Sequence, residues 1–364
     1  MAVGLPLKTT YANGDVYSAS DVNDTNGTVN LFTSSTLSRA AAKNCIINGG
    51  FDIAQRGTSG TFTTTAKSFC FDRWYISSAA SASMTYSQQA STVAGTRYCG
   101  RVGRTAGNTN TTLIALQQDV ETSNSIIYAG QSIVVSFYAR AGANFSSASS
   151  ALSHYTIQGT GTDQSDYSAG FTGRSVLTSG TATLTTSWQR FSYTATVASS
   201  TTELNLQVYY TPVGTAGAND YFEITGVQFE LGSTATTFSR AGGTIQGELA
   251  NCQRYYYRIN ATASAPWSMM AYGSAGSTTI VYGNIPLKAD MRVIPTSVDY
   301  SSLCVSADNL ASAQIAISSA TVSNYISPGQ VTVNLVGSGF TQYRPYWVHS
   351  NNTSAGYLGV SAEL

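Results

Sequence analysis

Only two histidines, His154 and His349, occur in the sequence, and neither lies in an HxxxH or HExxH pattern. A Ser-His-Asp relay or a histidine-based zinc centre needs more than this, so hydrolases of those kinds are not expected. Five cysteines (Cys45, Cys70, Cys99, Cys252 and Cys304) are widely spaced, odd in number and without a CxxC pair. They read as buried thiols of a chain made in a reducing cytoplasm. The glycine runs GSAGS (Gly273–Ser277) and GTGT (Gly159–Thr162) lack the GK[ST] ending of a phosphate loop and read as turns. Three carboxylate pairs lie close in sequence: Asp163 with Asp166, Asp220 with Glu223, and Asp119 with Glu121. Glycoside hydrolysis needs two carboxyl groups at a set separation across a sugar, which spacing along the chain does not supply. Loop carboxylates more often stay solvated or hold calcium through hard oxygen ligands. No catalytic residue is assigned, and the chain is not expected to be an enzyme.

Aromatic density is the feature with the most functional content. Tyr and Trp present a flat apolar ring beside a hydrogen-bonding tip, which suits sugar rings with an apolar face and a hydroxyl rim. The last hundred or so residues are rich in them, and Trp267, Tyr272, Tyr282, Tyr343, Tyr346 and Trp347 are the candidate glycan-binding residues. The competing reading is that alternate members of this set fill a sandwich core or a subunit interface.

Such side chains must be carried on folded elements, and composition says which kind. The 364 residues carry 18 Lys and Arg against 18 Asp and Glu, only 10% charged, while 96 are Ser or Thr. With no field of one sign to recruit phosphates or anionic lipid, neither nucleic acid nor a membrane is an expected partner. No apolar run is long enough to cross a bilayer, and the start, MAVGLPLKTT, does not read as a signal peptide. An 11% aromatic content and only seven prolines argue for a folded, β-rich chain.

Three regions are expected. Residues 1–44 hold the one early stretch with helical character, SASDVNDTNGTVNLF, and read as an attachment segment ordered by packing against a larger body. From 45 to 243, short alternating runs broken by Gly, Ser and Asn predict a jelly roll or sandwich. Its clearest strands are Ser132–Arg140, Trp188–Val197, Glu203–Tyr210 and Tyr221–Leu231, with long loops at Gly142–His154 and Gly159–Gly173 where ligand contacts are expected. After the small-residue break Ala241–Gly243, Glu248, Leu249, Cys252 and Tyr256 fall at helical spacing, and the remainder of 244–364 alternates as a second, smaller β-sandwich.

Several motifs resemble a known group. NGGFDIAQRGTSG (Asn48–Gly60), FDRWYI (Phe71–Ile76), GVQFELGSTATTFSR (Gly226–Arg240), ELANCQRYYYRI (Glu248–Ile259), IPLKADMRVIPTSV (Ile285–Val298) and the final Ala-Glu-Leu resemble, in order and spacing, bacteriophage tail-fibre and minor structural proteins. The stretch Asn13–Leu31 likewise resembles phage fibre attachment segments. The resemblance implies an all-β homotrimeric virion fibre, assembled in the bacterial cytoplasm and held to other virion proteins through residues 1–44. Its carbohydrate-binding-module-like jelly roll and tip domain would contact bacterial surface polysaccharide. A capsid-bound head fibre or decoration protein is the alternative of the same class, and a polysaccharide depolymerase the alternative of another. Modules of this kind often hold a structural calcium through a carboxylate after the Gly-Phe opening and an Asp in the last strand. Asp52 matches the first position, but Thr225 stands at the second. Arg73 beside Trp74 could clamp a sugar, although a core Trp74 with Arg73 bound to carbonyls fits better. Gln253 and Arg254 could face another subunit or brace the interdomain turn.

Overall fold

Strands form where alternation between apolar and polar side chains is strongest. Glu203–Tyr210 and Tyr221–Leu231 run over their full expected lengths, and Ser132–Arg140 gains one residue. The computed structural model describes residues 44–63, 65–78, 83–167, 170–307, 314–327 and 329–364. The expected attachment segment, Asn44 apart, lies outside the described residues.

The first twelve strands are β1 (Ser59–Phe62), β2 (Ser68–Phe69), β3 (Tyr75–Ser78), β4 (Met84–Ala90), β5 (Tyr98–Arg104), β6 (Ile114–Val120), β7 (Ser132–Ala141), β8 (Ala151–Gly159), β9 (Ser175–Thr183), β10 (Gln189–Thr196), β11 (Glu203–Tyr210) and β12 (Tyr221–Leu231). They make two antiparallel six-stranded sheets, in the orders β1-β4-β5-β12-β7-β10 and β2-β3-β6-β11-β8-β9, facing each other as a jelly roll. Their inward side chains, among them Leu116, Phe137, Leu206 and Phe222, form one core with Phe51 and Trp74 from the segments between strands. In β12 the register shifts between Thr225 and Gln228, and Gly226 takes a φ of 60° there, a bulge that an L side chain would strain.

The quoted motifs converge on one corner of this jelly roll. The Asn48 side chain donates to the carbonyls of Ile53 and Asp72 and accepts from the Ile53 amide, while its own amide donates to Glu248. Gly49 lies so close to Val227 that an added Cβ would sit 2.2 Å from its carbonyl oxygen. Trp74 is fully buried, stacks on Phe51 at 5.3 Å and donates its indole N–H to the Asn48 carbonyl. Asp72 accepts from both the amide and the side chain of Gln55. Buried polar groups thus find each other across as many as 200 residues, and these motif residues are structural.

Helix α1 (Ile245–Gln253) follows, capped by the Thr244 hydroxyl on the Gly247 amide. The chain then forms β13 (Tyr256–Asn260), β14 (Met269–Ala275), β15 (Ile280–Pro286), β16 (Ser297–Ser301), β17 (Leu303–Ser306), β18 (Ile315–Ala316), β19 (Ser319–Ser327), β20 (Gln330–Val336), β21 (Pro345–Ser350) and β22 (Tyr357–Ser361). A three-stranded sheet, β13-β22-β16, and a seven-stranded sheet, β18-β17-β21-β14-β15-β20-β19, share a second core that includes Tyr257, Val281, Val333, Val348 and Leu358.

Residues 44–364 are one unit, and ion pairs as well as a small apolar cluster of Ile47, Ile53, Cys252 and Tyr255 join its two cores. Glu363 lies against Arg73 and Arg56, Arg73 covers the Tyr255 ring at 3.5 Å, and Lys67 donates to the Leu364 carbonyl. Arg254 reaches Glu121, and its carbonyl accepts from the Arg292 amide, so Arg254 braces the turn. All five cysteines are free, and burial pushes the Cys70 and Cys99 thiols up to about 12.

Candidate functional site

Strands β14, β15 and β21 are neighbours in the seven-stranded sheet, and their register decides which aromatics meet. Tyr272 lies directly opposite Trp347 on one side and Asn284 on the other, so the three side chains share a face. The core takes the alternate positions, Val281, Gly283, Ile285 and Val348, so this face points outward. Tyr272 is 60% exposed and Trp347 41%, a large flat apolar surface left in water. One step along, Ser274 faces Tyr282, whose half-buried ring lies on Gly276, where an added Cβ would meet it at 2.2 Å. Met269 extends the face beyond a bulge and is also exposed. Asn284 accepts from the Thr332 hydroxyl at 2.7 Å and supplies a fixed amide beside the rings.

The remaining candidates fall elsewhere. Tyr343 is 80% exposed in the turn before β21, at a φ of 68°. Trp267 is half-buried at the margin, its ring 5.8 Å from that of His349. Tyr346 does not reach the surface. It is 4% exposed, packs on Phe340 and accepts from the Thr341 amide, because alternation along β21 turns residue 346 into the core when 345 and 347 face out. His154, placed by the sequence reading at the end of a long loop, lies in β8 and packs at 3.9 Å from Tyr193 inside the jelly roll, where burial pushes its pKa down to about 4.

A second polar and aromatic face went unread in the sequence. On the outward side of the sheet containing β6, β11 and β8, Gln117, Gln207 and Tyr155 stand in one row, and Ala115, Tyr209 and Ser153 in the next. Tyr155 and Tyr209 lie with ring centroids 5.0 Å apart. One end of this face is closed, since Asp119 accepts from Lys67, Ser165, the Asp166 amide, Tyr75 and Asn205. Ser165 and Asp166 are thereby tied to this sheet. The alternation of Gln207 and Tyr209 in ELNLQVYY was the available signal, but it does not say which set faces out.

The three carboxylate pairs are each taken by cations. Asp163 pairs with Arg292, Asp166 with Arg174, Asp220 with Arg104, Glu223 with Arg101 and Arg140, Asp119 with Lys67, and Glu121 with Arg254. The calcium position does not fit a metal either. Asp52 pairs with Arg240 at 2.8 Å, and the Thr225 hydroxyl is spent on the Tyr98 carbonyl. Among the described residues no group of three or more His, Cys, Asp or Glu side chains could hold a metal ion. A guanidinium supplies the positive charge that calcium would bring, so excess EDTA is expected to leave the thermal unfolding midpoint within about 1 °C. A fall of several degrees would put a structural cation back into this reading.

No family model and no curated protein matches the chain. Among solved structures it is similar to one titled "CBM4 structure and function" at 17% identity, over 51% of this chain and 98% of that one, with a TM-score of 0.31. It is similar to TmCBM61 in complex with beta-1,4-galactotriose at 15% identity, over 53% and 99%, with a TM-score of 0.31. It is also similar to the enzymatically active domain of bacteriophage CBA120 tailspike protein 4 at 10% identity, over 52% and 21%, with a TM-score of 0.32. TM-scores this low establish no shared fold, and the jelly-roll assignment rests on the strand order given above.

Proposed function

We propose that the chain is a structural, adhesive protein of a bacteriophage virion, held to other virion proteins through residues 1–44 and binding bacterial surface polysaccharide through its β domains. The observation that carries the adhesive part is the Tyr272–Trp347 pair, two large rings side by side across a β-ladder and open to solvent, with the Asn284 amide beside them. Rings exposed in this way stack on the apolar faces of pyranose sugars, and neighbouring amides and hydroxyls take the sugar hydroxyls. The phage part rests on the motif resemblance. A homotrimer would present three such faces, and avidity would then make individually weak contacts sufficient. The paired state of every candidate carboxylate supports a non-enzymatic role over depolymerisation.

The test is binding of Tyr272→Ala/Trp347→Ala to arrayed bacterial polysaccharides and to cells. Each ring covered by sugar contributes on the order of 1.5–3 kcal/mol, so the double variant is expected to bind at least about tenfold more weakly with its thermal midpoint little changed. Unchanged binding would sink the assignment of this face. Loss of the oligomer by light scattering, with cell binding intact, would make it a subunit interface instead, and binding to purified capsids but not to cells would favour head decoration.

A further inference from the structure

A cleft of about 630 Å³ is lined by Asp52, Arg97, Tyr98, Arg240, Ile245 and Gln246, none of which belongs to either aromatic face. That volume is within the range of about 300–1,000 Å³ usual for ligand sites. Its charges are unevenly satisfied. Arg240 and Asp52 neutralise each other at 2.8 Å. No ion pair among the described residues includes Arg97, whose guanidinium has only the Tyr98 ring beside it, at 5.1 Å. The turn that carries it is stiff: the Ser91 amide donates to the Arg97 carbonyl, and the Thr96 hydroxyl donates to the Ser91 hydroxyl and the Val93 carbonyl. The exposed Arg97, on that hydrogen-bonded turn, thus lines a cleft that also offers an aromatic ring, an apolar wall at the exposed Ile245, and an ion pair able to donate to and accept from hydroxyls.

We infer that this cleft binds an anionic sugar unit of the host polysaccharide, with Arg97 taking its carboxylate or phosphate, an inference that rests on the glycan-binding reading above. A planar guanidinium matches either anion with two parallel hydrogen bonds, and Tyr98 offers the face on which the ring lies. The Asp52 carboxylate disfavours a second anionic group close by, so a unit with one charge fits better than a densely charged polymer.

The chain is titrated calorimetrically with galacturonate, with galactose 6-phosphate and with neutral galactose. At least one anionic probe is expected to bind, and which one identifies the source of the anion. Arg97→Ala is expected to weaken that binding at least about tenfold. Gln246→Trp, which fills the cleft from an exposed position without changing its charge, is expected to do the same. Tyr272→Ala/Trp347→Ala should leave it unchanged. Failure of both anionic probes to bind, or binding that survives both cleft variants, overturns the inference. If array binding through Trp347 persists in that case, only the cleft is lost, whereas absence of all glycan binding removes the broader reading.

Discussion

Glu363→Gln is expected to destabilise the protein by about 3–5 kcal/mol, measured by urea unfolding at constant slope. The Glu363 side chain is 4% exposed and lies against Arg73, itself 2% exposed, and Arg56, 11% exposed. The neutral amide would leave two buried guanidinium groups without their ion-pair partner, and the Asp72 and Asp119 carboxylates then offset only part of the desolvation. Neither arginine can swing out to water cheaply. Arg73 donates to the Asp119 carbonyl at 2.6 Å and covers Tyr255, and Arg56 covers Tyr256 at 3.5 Å. Against a usual total of about 5–15 kcal/mol, the loss is a large fraction of what holds the chain folded. A change below about 1 kcal/mol would show that water reaches these groups and that the seam is held by its apolar contacts instead.

Asp220→Asn is expected to cost a similar amount, about 3–5 kcal/mol, and to leave glycan binding by the folded fraction unchanged. Arg104 and Asp220 are both completely buried, with Nε donating to the carboxylate at 2.7 Å. The pair gathers three loops. Asp220 also accepts from the Ser146 amide and hydroxyl, and Arg104 donates to the carbonyls of Asn108, Asn110 and Gly214. For that reason Arg104→Met/Asp220→Leu is expected to recover only part of the stability, because three carbonyls lose their donor. A stable Asp220→Asn variant that loses a glycan-cleaving activity would instead return this carboxylate to the catalytic reading. Thermal unfolding and an assay for reducing ends, run on one preparation, separate the two results.

Much of the fold was legible because strand formation is a local matter. Alternation placed β7, β11 and β12 closely, and the spacing of Glu248, Leu249 and Cys252 located α1, whereas Tyr256, counted with them, opens β13. The motifs were legible as a set, though their meaning was not. Asn48, Gly49, Asp72, Trp74 and Glu248 stand far apart in the chain, and only the folded corner shows that they exist to satisfy one another. The candidate site was half legible. Aromatic density singled out residues of β14, β15 and β21, but an alternating strand offers two sets of side chains and carries no label for the side that meets the core. Tyr346 and Trp347 are adjacent residues of one type, and packing alone sends the first inward and the second out.

By itself the sequence set an expectation of sugar-binding chemistry, from few ionisable groups, two isolated histidines and many rings suited to sugars. It also determined the β-rich class, because a period of two follows from backbone geometry residue by residue. The tertiary structure decided which rings stay in water and which carboxylates are neutralised. Those outcomes depend on partners such as Arg73 and Glu363, 290 residues apart, and no local pattern encodes a contact made only after the sheets have stacked.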